Sequence, residues 1–100
     1  MQAELSGRWL LDSTGATARG TLRLEQHPDG RWYDPISGEF ADAMETDDMP
    51  TGDARFGVVI TLAENCIFLP DAGECERVGL PIFRHPDYRR LDPQWQGVQH

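Results

Sequence analysis

Along the chain, apolar residues recur at every second position in several short runs separated by turn-forming clusters, which is the signature of strands. Arg8-Trp9-Leu10-Leu11 is a first such run, stopped by Asp12-Ser13-Thr14-Gly15. From Thr21, Leu22 and Leu24 share one face while Thr21, Arg23 and Glu25 share the other, until His27-Pro28-Asp29-Gly30 interrupts them. Pro28 presets the first turn position and Gly30 suits a left-handed one, so this is a hairpin with a three-residue loop and a bulge. Its register sets His27 opposite Arg31, Gln26 opposite Trp32 and Leu22 opposite Ile36.

A second block begins at Arg55, with Phe56, Val58, Ile60 and Leu62 on one face and Gly57, Val59, Thr61 and Ala63 on the other. Both faces are largely apolar, which predicts a central strand. Cys66–Leu69 follows a turn at Glu64-Asn65. A third run, Cys75 to Phe83, follows Pro70-Asp71-Ala72-Gly73 and is an edge strand because Pro81 cannot donate to a ladder. That hairpin pairs Phe68 with Cys75 and Cys66 with Arg77, too oblique for a disulfide, so both thiols are expected free and half-buried in the core. Between the blocks, Gly38 to Asp53 shows no strand alternation, and Phe40, Ala43 and Met44 fall at helical spacing. The tail 86–100, with Pro93 and Gly97, reads as irregular.

Short strands with turn chemistry between them predict a mainly β fold, a small antiparallel sandwich or barrel. An acidic loop or short helix (38–53) is inserted between its two β blocks. The 100 residues suit a single domain, 1–100. The expected core is Trp9, Leu22, Leu24, Trp32, Ile36, Phe56, Val58, Ile60, Leu62, Ile67, Leu69, Val78 and Leu80.

Charge changes the picture most. Seventeen acids face nine arginines and no lysine, for a net charge of -8. Seven of those acids, Asp34, Glu39, Asp42, Glu45, Asp47, Asp48 and Asp53, lie between Trp32 and Ala54 with no base among them. The rest of the chain holds ten acids against the nine arginines, so nearly the whole surplus sits on one stretch. Such a balance disfavours direct contact with nucleic acid or anionic lipid and suits a basic surface on a partner protein. These seven carboxylates are the candidate binding residues; the alternatives are a merely solvated acidic loop, or a segment covered by Arg84, Arg89 and Arg90 of the chain's own tail.

The candidate chemistry adds little. Asp47, Asp48, Gly52 and Asp53 miss the D-x-[DN]-x-[DN]-G calcium pattern, and Cys66 and Cys75 have no zinc-ligand spacing. Ser6, Ser13 and Ser37 lie in turn-like contexts without a nucleophile elbow, and an exposed acidic run does not raise a carboxyl pKa as acid–base chemistry requires. Neither metal, cofactor nor catalytic residues are therefore expected. With no basic-then-apolar leader at the start and no apolar run of about 18 residues, the expectation is a cytoplasmic protein without a membrane span.

Three short stretches resemble known families. His27-Pro28-Asp29 and His85-Pro86-Asp87 repeat the tripeptide of J-domain co-chaperones, although the first copy has β-patterned flanks in place of helices. Leu5-Ser6-Gly7-Arg8-Trp9 is similar to the G-x-W start of the calycins, which implies structural roles for Gly7 and Trp9 and a ligand-holding or protease-inhibiting barrel. Arg31-Trp32-Tyr33-Asp34-Pro35-Ile36-Ser37-Gly38-Glu39-Phe40 looks like the R-Y-Y-D-P-x-x-G-x-F segment of Rhs-type repeat proteins, implying a strand that ends in an Asp-Pro turn with its aromatics inward. The reading that best fits the charge is a non-enzymatic binding or inhibitory protein, in the manner of phage or mobile-element anti-defence proteins that mimic nucleic acid. A calycin-like binder and a structural subunit, such as a virion component, are the alternatives.

Overall fold

The computed structural model describes residues 1–47, 49–52, 57–63 and 66–83. Among these residues seven strands and one short helix follow in order: β1 (Gln2–Leu10), β2 (Thr17–Gln26), β3 (Trp32–Tyr33), β4 (Asp42–Thr46), β5 (Gly57–Ala63), β6 (Cys66–Pro70), α1 (Glu74–Val78) and β7 (Ile82–Phe83). The protein is mainly β. All seven strands form one sheet in the order β3-β2-β1-β6-β5-β4-β7, curled into an open half-barrel. Every pairing is antiparallel except β4 with β7.

Alternation builds the inner face. Ala3 and Leu5 of β1 stand opposite Leu24 and Leu22 of β2, and Ile60 of β5 pairs with both Phe68 of β6 and Ala43 of β4. Leu5, Leu24, Ile60 and Phe68 are fully buried there, with Trp32, Leu62, Cys75 and Leu80 around them. Farther along the same β1–β2 face Gly7 pairs with Gly20. A side chain on Gly7 would strike the Phe68 ring at 2.7 Å, and one on Gly20 the Trp9 ring at 2.8 Å. The two glycines thus let two aromatics pack close against the sheet, their centroids 4.9 Å apart edge to face.

The curl brings the two ends of the sheet order together. The Ala41 N–H donates to the Trp32 carbonyl at 2.9 Å and Tyr33 bridges Phe40, so the chain entering β4 lies against β3. At the opposite side, β6 covers β1 only from Gly7 to Trp9. The exposed edge before it is closed by polar groups. Asp71 N–H donates to the Ser6 carbonyl at 2.9 Å, Glu74 Oε1 accepts the Ser6 N–H at 2.8 Å, and Arg77 donates to the Glu4 carbonyl.

Several expectations are corrected. Within 38–53, residues 42–46 form a strand, since Ala41 and Ala43 are buried while Asp42 and Met44 are exposed. That alternation has period two, but alanine gives it too little contrast to stand out. The run from Cys75 is also not a strand at its start: Gly73 and Gly79 bracket a one-turn helix, and Gly79 takes the left-handed φ of 82° that ends it. Cys75 therefore does not face Phe68, which pairs with Trp9 and Ile60 instead. Ile36 is 93 % exposed because Asp34 accepts the Ile36 N–H at 2.8 Å and turns the chain out of β3. Both cysteines are free, but only Cys75 is buried; Cys66 is exposed. Leu5, Phe68, Val59, Ala41 and Ala43 join the core unforeseen. Ile67 is only partly buried. Phe56, the turn at 64–65, Arg84 and the tail 86–100 lie outside the described residues.

Candidate partner-binding surface

The acidic stretch is laid out along an edge of the half-barrel. Asp34 closes β3: its N–H donates to the Glu39 carbonyl at 2.9 Å, its carbonyl accepts the Gly38 N–H at 2.7 Å, and its carboxylate is used on Ile36. Glu39 closes the same turn, with an exposed side chain. Asp42 opens β4 on the outer face opposite Thr61, beside exposed Met44. Glu45 points the other way, paired with Val58 and half-buried at the mouth of a groove. Asp47 is exposed in the bend that ends β4. Asp48 and Asp53 lie outside the described residues. At about 3.3 Å per residue, Glu39 to Asp47 spans roughly 25 Å of extended chain. Of these carboxylates, Asp42 lies on the outer face of β4, Glu39 precedes the strand and Asp47 follows it.

Arginines are distributed quite differently. Arg19 grips Asp71 with two bonds of 2.8 Å, Arg77 holds Glu74 at 2.8 Å and Arg23 approaches Glu4 at 3.8 Å. All three pairs lie on β1, β2 and the β6–α1 corner. Hydrogen bonds from Arg77 and from the Ser6 N–H pull the Glu74 carboxyl down to about 2, and Arg19 lowers Asp71. Arg31, the described arginine nearest the acidic stretch in sequence, sits with its guanidinium 3.5 Å from the centre of the Phe40 ring. Tyr33 stacks on His27 beside it, at 4.2 Å. Among the described residues, the carboxylates of Glu39, Asp42 and Asp47 have no hydrogen-bonded or ionic partner.

Two of the grooves among the described residues lie beside the acidic stretch. One of about 470 Å³ lies beside α1, between Arg8, Glu45, Met49, Val58 and Cys75. Burial pushes the Cys75 thiol up to about 11, with Glu76 and Glu74 adding to it, which favours its protonated form. The second, of about 550 Å³, lies where β3, β4 and β7 meet. Its Trp32, Met44 and Phe83 were not legible as a surface, because Trp32 reads as core and the other two fall in separate segments. Among the described residues no set of three His, Cys, Asp or Glu side chains could hold a metal ion, and no helix is long and apolar enough to cross a membrane.

The chain matches no protein family, no curated protein and no solved structure with which it was compared. Its function must therefore be argued from the distribution of charge and apolar surface.

Proposed function

We propose that the protein is a non-enzymatic binding or inhibitory module that presents the β3–β4 side, with Glu39, Asp42 and Asp47 foremost, to a basic surface on another protein. One observation carries this reading: the described ion pairs all lie on the β1–β2–α1 side, while the exposed carboxylates of Glu39, Asp42 and Asp47, before, on and after β4, have no partner among the described residues. Unpaired exposed charges of one sign attract a complementary surface over about a Debye length, roughly 8 Å at physiological salt. Asp34, Glu45, Asp48 and Asp53 belong to the same stretch of sequence.

Spacing limits the sense in which this could imitate nucleic acid. Glu39, Asp42 and Asp47 are three and five residues apart, roughly 10 and 17 Å along the strand. A nucleic-acid strand carries one phosphate per about 3.4 Å of axis. The imitation is of sign, not of register, and it favours a partner with a broad basic face. The test compares capture from a lysate of the source organism by the wild-type chain and by a Glu39→Gln/Asp42→Asn/Asp47→Asn variant, at low and moderate salt. A partner held by wild type, released by salt and lost from the variant is the expected result. Equal binding by both chains would refute the reading.

A further inference from the structure

We propose, resting on that reading, that the groove between β3, β4 and β7 is the anchor point of the interaction. It takes one apolar side chain of the partner that is flanked in sequence by lysine or arginine. The groove lies at a handover: Phe40 and Ala41 are bonded to β3, whereas Ala43 and Met44 pair with β7, so two edge segments part there. Its walls are largely apolar, and its volume of about 550 Å³ falls in the range usual for ligand sites, about 300–1,000 Å³. Met44 and Phe83 are register partners on its rim and are 38 % and 58 % exposed, a pair of large apolar groups left in water side by side.

Two polar features say what kind of group fits. Trp32 lines the groove and is 4 % exposed, yet among the described residues its indole N–H has no acceptor. Trp9 shows the usual outcome, donating to the Thr21 carbonyl at 3.2 Å. A buried donor without an acceptor is costly, and a backbone carbonyl of an inserted segment would relieve it. The charged groups lining the groove are Asp42 and Arg31, and the guanidinium of Arg31 lies over Phe40. The carboxylate of Asp42 therefore remains to meet a cation next to the apolar anchor, with Glu39 and Asp47 farther along the same stretch.

The probe is a blocked hexapeptide, Lys-Lys-Leu-Phe-Lys-Lys, added to the full-length ¹⁵N-labelled chain. Its controls are Glu-Glu-Leu-Phe-Glu-Glu and Lys-Lys-Gly-Ser-Lys-Lys. Only the first should give a saturable shift of the Trp32 indole N–H together with the amides of Ala43, Met44 and Phe83. Trp32→Phe identifies the resonance against Trp9 and Trp95 and should weaken binding about three- to tenfold, as loss of one hydrogen bond does. Met44→Ser, at an exposed position, should also weaken it and serves if Trp32→Phe does not fold. An unmoved indole, or equal binding of the Gly-Ser or Glu peptide, overturns the anchor. So does a shift that depends on protein concentration alone, which would assign the groove to a second copy. If the carboxylate variant loses its partner while Met44→Ser keeps full affinity, the acidic surface stands and the anchor falls.

Discussion

The two sides of the half-barrel use the same alternating strands and finish their polar groups in opposite ways. On the β1–α1 side, the stretch of β1 that no strand covers is closed by Glu74, Arg77 and the Asp71 backbone, and each of these charged side chains has an opposite charge beside it. On the β4–β7 side, the short β7 leaves Met44 and Phe83 in solvent, and the nearby carboxylates of Glu39, Asp42 and Asp47 face water. Exposed strand edges are ordinarily blunted by charge or cover. On the proposed reading, the edge left with apolar surface is the one that meets the partner.

The sharpest way to break this contrast is to compare aromatics. Phe68→Ala removes a fully buried ring from the paired side and should cost about 3–5 kcal/mol in denaturant unfolding, whereas Phe83→Ala should change stability by no more than about 0.5 kcal/mol. Equal costs would mean that β7 is as integral to the core as β6. Next comes Gly7→Ala, whose methyl would meet the Phe68 ring and the Leu69 backbone carbonyl. A loss of about 1–3 kcal/mol is expected, and a neutral result would show that the aromatic pair does not need the glycine seat.

Acid titration sharpens the difference in charge. The Glu74 carboxyl is lowered from 4.5 to about 2, so the unfolded chain takes up its proton first as pH falls. Its contribution to stability is complete above about pH 4.5 and is lost as pH drops toward 2. Wild type should therefore exceed Glu74→Gln in stability at pH 6, and the gap should close over that interval; a gap independent of pH would separate the contact with Ser6 from ionisation. The smallest effect is expected from the Glu39→Gln/Asp42→Asn/Asp47→Asn chain, whose unfolding midpoint should match wild type even though its binding is lost. A marked drop in that midpoint would show that these carboxylates support the fold.

Much of the contrast could not be read from residue pattern, for definite reasons. The β2–β3 hairpin was legible because Leu22, Leu24 and Trp32 alternate strongly and Gly30, at φ 96°, supplies the turn; Gln26 does face Trp32 and the His27 N–H does reach the Arg31 carbonyl. β5 and β6 were legible as short, almost wholly apolar runs bounded by polar turn residues. β4 was not, since its inward residue is Ala43 and its outward ones include Met44, which inverts the usual contrast. α1 was missed because a five-residue helix between glycines is shorter than any periodicity can register, and its bond from Glu74 to Ser6 spans 68 residues. The acidic stretch itself was plain in composition. Its arrangement around a strand, and the orphaned Trp32 N–H, depend on the curl that brings Ala41 to Trp32.

The parallel pairing of β4 with β7 bears on the order of events in folding. Ala43 and Ile82 are far apart in sequence, and among the described residues two register positions join the strands. Closing so long a connection for so little reward makes this the last ladder to zip up and the first to fray. Amide protons there should exchange with solvent well before those of β1 and β2, and a bound segment would slow that exchange where the native chain is most easily opened.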